Sequence, residues 1–181
     1  MRWIPFVILA YVIILIQTSA GRLMRIDTGW LGPIGPDFAG VVAAFVALRA
    51  RGGLDAMLAA WALGLGIDLT TAGGVGFSTV IGPMPIAYAL AAGMLYRVRE
   101  AFFREHALAQ GLLTMVFVFV AHGLWLTMQT LRLGGDWAAW RQMLLAALLV
   151  AVYSALLAPL IHALLGWRQA WFIAEPTGRG R

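Results

Sequence analysis

The sequence predicts an all-α polytopic membrane protein of about six transmembrane helices, N-in and C-in, and three observations predict it. Hydrophobic residues make up 62% of the 181 and charged residues 12%, against about 25% charged in an ordinary soluble domain. The apolar residues fall into six runs separated by short polar stretches. The 13 basic residues are all arginine and lie between those runs rather than in one block. Each crossing of a bilayer about 30 Å thick uses about 20 residues, so the chain accommodates six spans and leaves no hydrophilic domain for an active site. The expected organisation is a single transmembrane helical domain over residues 1–171 and a short disordered cytoplasmic tail over 172–181.

The first run, Trp3 to Thr18, follows a basic start at Arg2. Thr18-Ser19-Ala20 has the small residues of a signal-peptidase site, but an uncleaved helix is favoured because the rest of the chain needs the same membrane. The second run, Pro36 to Ala50, reaches only about 24 Å at 1.5 Å per residue. It therefore needs a thinned bilayer, snorkelling of Arg49 and Arg51, or extension by the preceding segment. Pro36 suits the first helical position and Asp37 the positive helix end.

The third run, Leu54 to Leu69, closes on Gly64-Leu65-Gly66-Ile67-Asp68 and is followed by Gly73-Gly74-Val75-Gly76-Phe77. Small residues four apart, Ala60 with Gly64 and Ala62 with Gly66, favour close helix approach; Ala89 with Gly93 repeats the spacing in the fourth run, Thr79 to Tyr96. The fifth and sixth runs are Leu108 to Leu131 and Met143 to Gly166. Pro159 lies inside the last, and His162 is expected to cap the kink that this proline makes.

Orientation follows from the arginines, because cytoplasmic loops carry the basic excess. With the N-terminus inside, Arg2, Arg49, Arg51, Arg97, Arg99, Arg104, Arg168, Arg179 and Arg181 are inner and Arg22, Arg25, Arg132 and Arg141 outer. The loop from Arg97 to His106 reads as an interfacial amphipathic turn. Trp3, Trp30, Trp137, Trp140, Trp167 and Trp171 fall near span ends, where amphipathic rings are enriched. Trp61 and Trp125 fall inside spans and are read as packing residues.

Ionisable residues within spans are functional hypotheses by default. Asp55 reads as a helix-start residue paired with Arg49 and Arg51 across a tight loop. Asp68 is either solvated at the outer headgroups or paired with Arg22 or Arg25 to fix the turn. His122 lies near the middle of a long span with no carboxylate within one turn, and is read as an interhelical hydrogen-bonding group. Pro36, Asp37, Gly64, Gly66, Asp68, Gly76 and His122 are the structural or partner-contact candidates.

Several function classes have no sequence support. Dispersed arginines are not a nucleic-acid stripe. The absence of Cys removes thiolate chemistry and Cys-based metal sites. No zinc-protease His-Glu-x-x-His, serine-hydrolase elbow or phosphate loop is present, and Ser19, Ser78 and Ser154 have no His and acid around them in sequence. No enzyme activity, cofactor or metal is expected.

From Pro36-Asp37-Phe38 through Arg51-Gly52-Gly53, then Gly64 to Asp68 and Gly76-Phe77-Ser78, the chain resembles the rod-shape-determining MreD family. That family opens a short apolar helix with Pro-Asp, turns at Arg-Gly, and closes the next helix with a Gly-rich end and Asp. The resemblance covers roughly residues 36 to 97; after the Asp the family usually has Leu-Gly where this chain has Gly73 to Phe77. It implies a scaffold in the bacterial inner membrane that contacts an MreC-like partner and couples a filament system to peptidoglycan synthesis. Two other classes stand beside it. One is the substrate-capture component of an energy-coupling-factor transporter, although the first helix has only Ala10 where such components carry Ala-x-x-x-Ala. The other is a proton-coupled transporter using Asp68 and His122.

Overall fold

In a computed structural model the chain is all-α, as the sequence predicts. The structure describes residues 1–71, 81–99, 106–133, 137–168, 171 and 173. Six helices of twelve residues or more run as α1 Trp3–Thr18, α3 Phe38–Arg49, α4 Gly53–Thr71, α5 Pro83–Val98, α6 Ala107–Leu133 and α7 Trp137–Arg168. A single turn, α2 Ala20–Leu23, continues α1 after a break at Ser19. Four helical stretches, Trp3–Leu23, Gly53–Thr70, Ala107–Arg132 and Trp140–Arg168, are long and apolar enough to cross a membrane.

α3 is the core of the bundle. Its sequence has no polar face between Phe38 and Leu48, and a helix apolar all round must be enclosed. Every residue from Ala39 to Leu48 is buried, with α1, α4, α5, α6 and α7 packed around it. The outer helices are organised the opposite way. α1 exposes Ile4, Val7, Ile8 and Tyr11, and α7 exposes Leu156, Leu160 and Leu164. Large apolar side chains covering the outside of a bundle are stable in lipid rather than water, so this is a membrane protein.

The segment between α1 and α3 is mostly irregular. Two short strands, β1 Ile26–Asp27 and β2 Pro33–Ile34, pair antiparallel with Ile26 opposite Ile34 and Asp27 opposite Pro33. A 3-10 turn, Gly29–Leu31, joins them. Asp27 accepts the Gly29 N–H at 2.9 Å, and the Thr28 hydroxyl donates to the Gly32 carbonyl at 2.7 Å. This ribbon packs against α7, where the Tyr153 hydroxyl donates to the Met24 carbonyl. The segment preceding α3 is thus an irregular ribbon rather than a helix.

Four local expectations need correction. Pro36 is not the first helical residue; Asp37 is the N-cap and the helix starts at Phe38. Asp55 pairs with the Met1 amino nitrogen at 3.1 Å rather than with Arg49 or Arg51. Trp61 is 43% exposed on the outside of α4, so its ring faces outward, whereas Trp125 does pack against the core. His162 does not cap the Pro159 kink: its Nε2 lies 3.2 Å from the Val41 carbonyl of α3, and its ring meets Phe45 edge to face. The carbonyl that Pro159 leaves without its helical N–H, that of Ala155, instead faces Gly111 of α6, where a Cβ would approach it to 3.2 Å. Gly76, most of the 172–181 tail and the Phe102–Phe103 turn lie outside the described residues.

Arg99, expected among the inner-face loop arginines, is buried. Its guanidinium donates to the carbonyls of Ala47, Leu48 and Ala50, which are C-terminal carbonyls of α3 with no helical partner. Its carbon lies 3.9 Å from the centre of the Tyr96 ring, and the Tyr96 hydroxyl donates to the Arg51 carbonyl. The basic end of α5 thus closes the basic end of α3, as a cation at a helix C-terminus favours.

Candidate functional site

A short helix that begins inside a bundle has a chemical problem at its first turn: its initial N–H groups lack helical acceptors, and in a membrane no water replaces them. Here each acceptor comes from a different element. The Asp37 N–H donates to Ser154 Oγ of α7 at 2.9 Å, and the Phe38 N–H to Gln17 Oε1 of α1 at 2.7 Å. The Asp37 carboxylate takes the Gly40 N–H at 2.9 Å. Gln17 also donates its amide to the Pro36 carbonyl, and Ser154 its hydroxyl to the Val150 carbonyl.

The same carboxylate is a hub. Its Oδ2 accepts the Tyr88 hydroxyl of α5 and lies 3.0 Å from His122 Nε2 of α6. A carboxylate oxygen only accepts, so with Asp37 in that form Nε2 carries the proton. The Tyr88 ring meets Phe117 of α6 edge to face, which fixes the hydroxyl's position. Gly40 is required by the geometry. A Cβ there would stand 2.5 Å from Asp37 Oδ2 and 2.9 Å from the Val118 side chain. Five helices, α1, α3, α5, α6 and α7, therefore meet at one polar cluster. At 1.5 Å per residue it lies about 15 Å along α6 from Arg132 and about 21 Å along α7 from Arg168.

Asp68 does for α5 what Asp37 does for α3, but from a neighbouring helix. Pro83 and Pro85 have no N–H, so the free donors at the start of α5 are those of Gly82 and Met84. Asp68 Oδ2 accepts both, at 2.8 and 3.3 Å. Gly82 has φ of +131°, a conformation open to glycine and strained for other residues. This cap on the start of α5 is a role that neither reading of Asp68 from the sequence included. Asp68→Ala is expected to cost about 1 kcal/mol, as loss of an N-cap does. Amide exchange at Gly82 and Met84 should rise before exchange in the middle of α5.

Compared with family models, curated proteins and solved structures, the chain matches none.

Of the residues singled out in the sequence, Asp37 and His122 are brought together, with Pro36 buried just ahead of the cap. Gly64 and Gly66 are packing positions on α4, toward Pro85 of α5 and Ile14 of α1 respectively. Gln17, Gly40, Tyr88, Ser154 and Arg99 were missed. Gln17 carried a usable signal, a polar amide inside an apolar run. Gly40 carried another, three residues after a capping Asp; Tyr88 and Ser154 carried none. Among the described residues no group of three His, Cys, Asp or Glu could hold a metal ion. Both Asp37 oxygens are engaged by groups of the bundle itself, and Asp37 is 4% exposed. Its chemistry is to hold helices together.

Proposed function

We propose that this protein is a non-enzymatic scaffold subunit of the bacterial inner membrane, of the MreD type. In this reading the chain crosses the membrane six times with both ends inside. It serves the cell-elongation complex by binding other membrane proteins, an MreC-like partner among them. The observation that carries the reading is the internal use of the intramembrane polar groups. Asp37, Tyr88, His122 and Ser154 bond to one another or to backbone, and Asp68 caps α5. A transporter using Asp68 and His122 would place them on one pathway, whereas they belong to two separate caps.

Further support comes from the surface between α1 and α3. There the ribbon exposes Leu23 (89%), Ile26 (59%) and Trp30 (71%), beside exposed Arg22 and Arg25. On the arginine-based orientation this surface faces outward, where a periplasmic partner would meet it. The resemblance over residues 36 to 97 falls on α3, α4 and α5, the helices joined by the two caps.

Depletion in a rod-shaped host should give rounded cells, and affinity purification should recover a periplasmic coiled-coil membrane protein. A small molecule retained stoichiometrically through purification, with cell shape unchanged on depletion, would instead favour the substrate-capture alternative and end the scaffold reading.

A further inference from the structure

The chain does not leave the bundle where its last helix stops. α7 ends at Arg168, whose guanidinium lies 5.0 Å from the centre of the Trp171 ring. Trp171 in turn shares an open groove with Trp3, Ile4 and Pro5 at the start of α1. Two residues further on, Ile173 is half-buried and packed against the hydrophobic core. Its seat is the turn between α3, which ends at Arg49, and α4, which begins at Gly53. With Met1, Ala50, Arg51 and Asp55, Ile173 walls a gap of only about 10 Å3, so the seat is almost filled. From Arg168 to Ile173 is five residues, which reach at most about 18 Å. That is enough to pass one helix diameter of about 10 Å.

We infer that the chain after Arg168 is a strap: Trp171 and Ile173 fold back across this end of the bundle, fasten the turn between α3 and α4, and come away without unfolding the helices. The unequal holdings set that order of release. α3 is enclosed from Ala39 to Leu48, and its last carbonyls are taken by Arg99. Among the described residues the strap is held by one seated aliphatic side chain and one ring stack. Segments with few buried apolar contacts open first. Seated, the strap covers Ala50 and the aliphatic side of Arg51; released, it uncovers them. Anything that grips the chain beyond Ile173 therefore competes with the turn, which couples that part of the chain to the end of the core helix.

The sequence contains no Cys, so an introduced pair is unique. In the full chain in detergent, Arg51→Cys with Ile173→Cys should be joined by a short bismaleimide in most molecules. Leu131→Cys with Ile173→Cys, at opposite ends of the bundle, should not be joined. Release is read by trypsin. Ile173→Asp places a charge in the apolar seat and should speed cleavage after Arg168 about tenfold, because cleavage follows the open population. Ile173→Leu should stay within about twofold of the parent, and cleavage after Arg132 should keep its parent rate in both. Failure of the Arg51→Cys and Ile173→Cys pair to join, or no faster cleavage after Arg168 in Ile173→Asp, would overturn the proposal. A matching rise after Arg132 would overturn it too, since the seat would then belong to the global fold and not to a separable strap. Should Ile173→Asp not be recovered with its helical circular dichroism, Ile173→Ala is read in the same way, with a rise of about threefold expected.

Discussion

Asp37→Ala is expected to lower stability by about 3 kcal/mol, the largest effect of any single substitution in this chain. A lone interhelical hydrogen bond in a membrane protein averages only about 0.6 kcal/mol, so bond counting alone would predict less. The difference lies in what is left behind. Removing the carboxylate strands the Gly40 N–H, the Tyr88 hydroxyl and the His122 ring together, and each buried group without a partner costs about 1–3 kcal/mol. Asp37→Asn keeps an acceptor for Gly40 and should retain about half of the loss. Unfolding in mixed micelles with increasing dodecyl sulfate measures both variants. If the three donors share one hub, adding His122→Ala to Asp37→Ala should cost little more than Asp37→Ala alone. A variant within about 0.5 kcal/mol of the parent would contradict the hub.

Gly64→Ala should come next, with a cost of about 1–3 kcal/mol from overpacking. A Cβ at Gly64 would stand 2.9 Å from the Met84 carbonyl and from the N and Cα of Pro85. All three are backbone atoms, so no rotamer change relieves the clash and α4 must move away from α5. That displacement also draws Asp68 from the N–H groups it caps. Gly66→Ala is the informative comparison. Its Cβ would meet the end of the Ile14 side chain at 2.1 Å, which swings aside at the cost of one rotamer, under about 1 kcal/mol. The same detergent titration should rank Gly64→Ala clearly below Gly66→Ala, and an equal loss at both sites would show that backbone contact is not what limits the α4–α5 approach.

The helices were legible because a bilayer imposes length and hydropathy on each span separately. α1 coincides with the first apolar run, and α3 to α6 differ from theirs by a few residues at the ends. α7 runs further in both directions, since Trp137 to Gln142 and Trp167 to Arg168 are amphipathic enough to continue a helix beyond the apolar core. The ribbon from Ile26 to Ile34 was not legible: nine residues with two glycines and two strand residues at a time leave no periodic pattern. The candidate site was half legible. Asp37 and His122 stood out as ionisable groups in apolar surroundings, but their meeting spans 85 positions and no local spacing encodes it. Tyr88 and Ser154 are commonplace in membrane helices and gain significance only from what packs against them. Asp68 was legible as a residue of interest and illegible in role, because its partners' importance comes from the two prolines that deprive α5 of other donors.

The seat of α3 also bears on the order in which the protein is made. Gln17 is synthesised before α3, but Ser154 follows Asp37 by 117 positions. During synthesis the short apolar segment therefore enters the membrane with one backbone donor still waiting for a helix not yet translated. Its early residence depends on apolar burial between α1 and the helices that follow, until α7 supplies the missing acceptor. A helix made long after α3 is the one that turns a tolerated segment into a fixed core.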